Sequence, residues 1–79
     1  SNHQAATFDT NTGIQKMKQG NLAAAINLFE SAIKKDESYA PAHYQLGLAL
    51  RKKGDRKGAA AAFERAQQLD RRLRPPPTK

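Results

Sequence analysis

With 79 residues and no cysteine, the chain has room for one small domain that buries only about 60% of its unfolded surface, and nothing covalent can staple it. Its net charge of +7 lies in one half: residues 1–39 balance four Lys against four acids, whereas residues 40–79 set ten Lys or Arg against three. No paired carboxylates, Ser/His arrangement or Gly-rich phosphate loop marks a catalytic, cofactor or metal site, and no apolar run approaches the ~20 residues of a membrane span.

Ser1–Ala5 is polar and expected to fray. The leading Ser1-Asn2, with no initiator Met, reads as a remnant of cloning and the chain as a segment of a longer protein. No secretory signal is visible, although a processed chain would not show one, so the default expectation is a cytoplasmic protein. The first helix is predicted from about Ala6 or Thr7 to Gln19, with poor intrinsic propensity because Thr, Asn and Asp crowd its first half. Phe8 is its expected core anchor, and Ile14 and Met17, three apart, share a face.

The second helix is predicted over Leu22 to Lys35. Leu22, Ala25, Ile26, Phe29, Ala32 and Ile33 keep the i, i+3, i+4, i+7 spacing of an apolar stripe. Asp36-Glu37-Ser38 is then a turn. A third helix starts near Ala40, with Pro41 in its first turn where a missing N–H costs nothing, and ends at Lys53. A fourth runs from Arg56 to about Asp70, with Leu73 able to extend it by a turn. Gly58 inside it should cost roughly 1 kcal/mol relative to Ala. Pro75-Pro76-Pro77 stops any helix and leaves an extended tail.

The two halves repeat one another. Sliding the sequence by 34 residues lays Gly13 on Gly47, Lys18 on Lys52, Gly20 on Gly54, Ala25 on Ala59, Phe29 on Phe63, Glu30 on Glu64, Ala32 on Ala66 and Asp36 on Asp70. A fixed period of this length marks a helix–turn–helix solenoid. Gly47 and Ala59 are small where helices must approach, and Phe63 and Leu46 fill the space beside them. Gly20 and Gly54 each follow a basic helix end, where a left-handed residue closes the helix and cations favour its dipole. Asn21 and Asp55 are then N-caps of the helices that follow.

With His43, Leu46-Gly47 and Leu50 in its first helix and Ala59, Phe63 and Ala66 in its second, the later copy resembles a tetratricopeptide repeat. The earlier copy departs from that pattern at Asp9, Thr12 and Lys16, three normally apolar places, and Glu37 and Arg71 stand where the family usually closes a repeat with Pro. The resemblance implies an all-α solenoid of four antiparallel helices with right-handed superhelical stacking. Its parts would be an N-terminal remnant (1–5), one repeat over 6–39, a second over 40–73 and a basic Pro-rich tail over 74–79.

In that family the first helices of successive repeats line a concave groove for peptides. Carried over, the resemblance assigns to that groove Thr7, Thr10, Ile14, Met17 and Lys18, then Pro41, Tyr44, Gln45, Leu48, Arg51 and Lys52. Such a surface is apolar at its centre with cations at one end, which complements a protein or peptide with a hydrophobic anchor and an acidic flank. From pattern alone, Ile14 and Met17 could equally be core residues of a rotated first helix, because Gln15 and Lys16 occupy its usual core places. The family's subclass that grips a C-terminal carboxylate needs Lys and Asn where this chain has Thr10 and Ile14, and Asn where it has Gln45, so that mode is not expected.

His43 stands where the family puts a large core residue and has no second His or Cys at metal spacing, so packing is the expected role. Tyr39, ending the inter-repeat turn, is expected to pack between repeats. The Lys/Arg runs at 51–57 and 71–74 are ordinarily solvated helix ends. As the alternative they would bind nucleic acid or another polyanion, without the interleaved aromatics of single-strand binders. A solenoid ordinarily needs at least about three repeats or a capping helix. Two repeats therefore predict self-association as a homodimer, or contact with the rest of a parent chain. The face expected for it is Ala62, Ala66, Leu69 and Leu73, or the Ile14/Met17/Leu48 patch.

Overall fold

The computed structural model describes residues 2–77, among which there are four helices and no strand. They are α1 (His3–Lys18), α2 (Leu22–Lys35), α3 (Ala40–Lys53) and α4 (Arg56–Leu69). Helices α1 and α2 form one hairpin, α3 and α4 the other, and the second stacks on the first through α2 against α3 and α1 against α3.

Both hairpins are built by the same turn. Gly20 and Gly54 hold φ of 83° and 97°, left-handed values open to glycine. Asn21 N–H donates to the Lys16 carbonyl and Gly20 N–H to Met17, both at 2.9 Å; Asp55 to Leu50 (2.9 Å) and Gly54 to Arg51 (3.0 Å) repeat them one period later. These paired bonds satisfy carbonyls that a helix end leaves open, and basic residues in the last turns oppose the dipole. The Asn21 and Asp55 side chains then accept from Ala24 N–H (3.2 Å) and Gly58 N–H (2.9 Å), capping α2 and α4 as expected. Gly58 proves to lie in the first turn of α4, directly over its cap.

The core has two parts. Ala25, Phe29 and Ala49 are buried together, with Ile14, Met17, Ile26 and Leu46 packed against them. Ala6, Ala32 and Ala42 form the junction between hairpins, flanked by Ile33 and Tyr39, so Tyr39 does pack between repeats. Phe29 and Phe63 are buried against Gly13 and Gly47, whose missing side chains make room for the rings.

Helix α1 corrects the sequence reading twice. It begins at His3, not Ala6, so Asn2–Ala5 is not frayed; Ser1 lies outside the described residues. The reason is tertiary. Asn2 caps the helix by accepting from Ala5 N–H (3.0 Å), and its own N–H donates to the Lys35 carbonyl at 2.7 Å. His3 adds a 3.3 Å contact to Asp36 and an edge-on contact with Tyr39 at 5.0 Å. Phe8, the expected anchor, is instead 70% exposed. The buried positions of α1 are Ala6, Asp9, Thr10 and Gly13, which puts Phe8 off the core face.

Four of the polar residues that weaken α1 on paper are bonded. Thr7, Thr10 and Thr12 donate their hydroxyls to the carbonyls of His3, Ala6 and Phe8, four residues back, at 2.8–3.0 Å. Buried Asp9 accepts from Ser31 Oγ (2.8 Å) and Lys35 Nζ (2.7 Å) on α2. The Lys35 hydrogen bond, opposed by burial and helped by Ser31 and the Lys35 charge, holds the Asp9 carboxyl below its ordinary pKa.

Helix α4 ends at Leu69 with Asp70 as its C-cap, as expected, and Leu73 does not extend it. Asp70 turns extended (φ −149°, ψ 104°), as Asp36 does after α2 (φ −151°, ψ 96°). Leu73 N–H then returns to the Asp70 carbonyl at 3.0 Å, as Tyr39 N–H returns to Asp36 at 3.1 Å. The Asp70 carboxylate is gripped by Arg72 through its backbone N–H and through Nε and Nη2 of its guanidinium, which lowers the Asp70 pKa and raises that of Arg72.

Candidate functional site

The surface of the first helices of both hairpins is where the expected groove residues fall, with one exclusion. Thr10 is 1% exposed and spends its hydroxyl on Ala6, so no partner can reach it. It sits on the face of α1 that meets α2, beside Ala6 and Gly13. Ile14 and Met17 are half-buried and pack on the Ala25–Phe29–Ala49 cluster, so they serve the core with part of their surface and leave the rest open. Thr7, Tyr44, Gln45, Leu48 and Arg51 are half-buried; Lys18, Pro41 and Lys52 are exposed.

Tyr44 and Arg51, two turns apart on α3, converge on Phe63 of α4. The Tyr44 ring meets the Phe63 ring edge-on at 5.5 Å, and the Arg51 guanidinium lies 5.0 Å from its centre. Both side chains are thereby held in place, and both donate outward to the tail. Tyr44 Oη–H donates to the Arg74 carbonyl at 3.1 Å and Arg51 Nη1 to the Pro76 carbonyl at 2.7 Å. The tail is extended, as expected, and through Pro77 it runs back along α3. Prolines announce the absence of a helix but not where the strand-like segment will rest, and these two bonds were outside sequence reasoning. Thr78 and Lys79 lie outside the described residues. Beside Pro75, against Phe63 and α4, is a hollow of about 810 Å³.

The face expected for self-association is not as the sequence suggested. Ala62 and Ala66 are already buried within the single chain, because α4 packs along α3 and an Ala methyl is short enough to be covered completely. Leu69 and Leu73 are half-buried.

His43 is a packed residue, as expected: it is buried and its Nε2 donates to the Glu37 carbonyl at 2.9 Å. Among the described residues no three His, Cys, Asp or Glu side chains gather as a metal site would require, and no helix is long and apolar enough to cross a membrane.

Two equivalent helical hairpins meet the family comparison here. The family model described as Tetratricopeptide repeat matches residues 11–73, most of the chain. The chain belongs to the tetratricopeptide repeat family. No curated protein matches it. The matched span holds both Gly–Phe contacts and both turns, and it ends at Leu73, where the segment that returns over α3 begins. Tetratricopeptide repeats are in general non-catalytic protein-interaction units.

Proposed function

We propose that this chain is an interaction module that docks a segment of a partner protein on the face of α1 and α3, through an apolar anchor and an acidic flank. One observation carries the reading. Half-open Ile14, Met17 and Leu48 share these two helices with Lys18, Arg51 and Lys52, and none of those three cations belongs to an ion pair among the described residues. An apolar partner side chain gains burial at the centre, while acids on one side of it meet unneutralised charge at the C-terminal ends of α1 and α3. Burial of Thr10 removes the α1 end of a carboxylate clamp, so the flank is recognised by the field of the cations rather than by a fixed pair of donors.

The test is selection of peptides from a random display library on the intact chain, followed by titration against Leu48→Ala, Lys18→Glu and Lys52→Glu. Selected peptides should share an apolar residue with acids within a few positions. Each substitution should weaken binding about 3- to 30-fold, the range of one lost apolar contact or charge interaction. Peptides without that pattern, or affinities indifferent to all three changes, would overturn the proposal. Salt separates it from polyanion binding, which for 6–10 phosphate contacts falls about 10³–10⁵-fold between 50 and 200 mM salt.

A further inference from the structure

We propose that Tyr44, Arg51 and Phe63 form a receptor for an extended proline-rich segment, which the chain's own residues Arg74–Pro77 occupy in cis. This goes beyond the docking of an acid-flanked segment: it shares Arg51 with that surface but centres on Tyr44 and Phe63 and takes a different ligand chemistry.

The recognition chemistry follows from what proline lacks. A run such as Pro75-Pro76-Pro77 offers no N–H, so it presents carbonyl acceptors only, and a surface that holds it must supply donors. Tyr44 and Arg51 are two donors, bonded to the carbonyls of Arg74 and Pro76. Residues two apart in a polyproline-type segment are about 6 Å apart along its axis. Tyr44 and Arg51 lie seven residues apart on α3, about 10.5 Å along its axis, and their long side chains, both in contact with Phe63, span the difference. Pro75, between the two bonded carbonyls, lines the hollow that Arg51, Ala59, Phe63 and Gln67 also border. An aromatic floor, two carbonyl-directed donors and a hollow for the intervening ring are the parts that polyproline recognition requires.

The donors are also held by contacts that do not involve the segment. Phe63 is buried, seated against Gly47, and holds the Tyr44 ring by its edge and the Arg51 guanidinium over its face. A stiff ligand on a pre-set surface loses little freedom on binding. Charge does not account for the contact. The segment carries Arg71, Arg72 and Arg74, and α3 ends in Arg51, Lys52 and Lys53, so docking brings like charges together. The first repeat has no second such receptor. The places of Tyr44 and Arg51 are taken there by Thr10, which is buried, and Met17, which packs on the core.

The path into the receptor is also encoded. The turn at Asp70–Leu73 repeats the hydrogen bonds of Asp36–Tyr39, so the chain leaves α4 as it leaves α2 to begin α3. Pro75 even falls on Pro41. Consecutive prolines bias each preceding residue away from helix, and an extended segment takes the course a further helix would otherwise start.

The experiment is a nuclear magnetic resonance titration of the ¹⁵N-labelled full chain with a synthetic peptide spanning Arg72–Pro77. The host is a variant whose own tail cannot compete, Pro75→Gly, Pro76→Gly and Pro77→Gly together. Saturable shifts of the Tyr44 and Arg51 amides are expected, at an affinity at least threefold higher than in the unsubstituted chain. The same peptide with its prolines replaced by glycine should bind at least fivefold more weakly. Adding Tyr44→Phe and Arg51→Gln to the host should reduce binding at least tenfold while far-UV circular dichroism stays helical. Should that pair unfold, Tyr44→Phe alone, which removes the hydroxyl donor and keeps the ring on Phe63, should still weaken binding. Lys18→Glu, which tests the acidic-flank proposal, should leave this titration unchanged, so the two readings fail separately. No shift of α3 amides up to millimolar peptide, equal binding of the glycine peptide, or indifference to the donor substitutions overturns the receptor.

Discussion

Gly47 faces the ring of Phe63 so closely that a Cβ added there would come within 2.6 Å of the ring, and Gly13 stands in the same relation to Phe29 at 2.5 Å. These contacts set the spacing of the two helices in each hairpin. Gly47→Ala gains up to about 1 kcal/mol of helix propensity but drives a methyl into a buried ring that has nowhere to go. Overpacking of that kind costs roughly 1–3 kcal/mol. Chemical denaturation should therefore show a lower midpoint for Gly47→Ala and for Gly13→Ala. An unchanged midpoint in both would mean that the rings do not pack on these glycines.

Gly58→Ala should behave in the opposite way. The atom its Cβ would meet is Asp55 Oδ2, the end of a side chain that can turn. The first hairpin already contains the substituted version, in which Asn21 caps α2 through the N–H of Ala24 at 3.2 Å. The propensity gain is kept and the cap is only lengthened, so stability should be unchanged or higher by up to about 1 kcal/mol. A loss larger than 1 kcal/mol in the same assay would contradict this.

The second hairpin was largely legible in the sequence, and the reason is that its rules are local. Gly54 after a basic helix end, Asp55 as a cap and Gly47 opposite Phe63 follow from spacing and from the chemistry of each residue type. Helix α1 was not legible to the same degree. Asp9 and Thr10 read as poor helix residues and Asn2 as part of a frayed end, and what anchors them lies on other elements or four residues back: Ser31 and Lys35 for Asp9, the Lys35 carbonyl for Asn2, the Ala6 carbonyl for Thr10. Of the site, Tyr44 and Arg51 were legible as α3 surface residues. Their partners were not, because nothing in a run of prolines states which carbonyls will be bonded.

The Asp9 network predicts an acid response. Asp9 is held ionised chiefly by the hydrogen bond from Lys35, with its folded pKa below the ordinary value of 3.8. A carboxyl depressed in the folded state binds its proton more readily when unfolded. Its contribution is therefore complete above the ordinary carboxylate range and is lost as pH falls through the depressed folded value. Asp9→Ala should cost about 1–2 kcal/mol near neutral pH. The difference from the unsubstituted chain should shrink below about pH 4. A difference that stays constant from pH 7 to pH 2.5 would mean that the carboxylate charge contributes nothing.

Asn2 is predicted to govern the first turn of α1. Asn2→Ala removes the side-chain acceptor for Ala5 N–H but keeps the backbone bond to Lys35. Loss of a cap of this type costs about 1 kcal/mol. Amide hydrogen exchange should speed up at Ala5 while Gly13 and Phe29 respond only through global stability. Equal acceleration along the whole helix would make Asn2 a determinant of the fold rather than of its end.

Phe8 and Ala42 occupy the same place in successive repeats and meet different surroundings. Ala42 is fully buried at the junction with Ala6 and Ala32, whereas Phe8, one period earlier, has no hairpin before it among the described residues and stays exposed. Position within a repeat thus fixes direction, and the neighbour fixes burial. Phe8→Ser should change stability by no more than about 0.5 kcal/mol, as an exposed substitution does. Ala42→Leu should cost roughly 1–3 kcal/mol, because added methylenes have no room in a closed junction. Thermal unfolding of the two variants decides the point. A large loss in Phe8→Ser together with a tolerated Ala42→Leu would mean that the first hairpin, not the second, carries the buried junction residue.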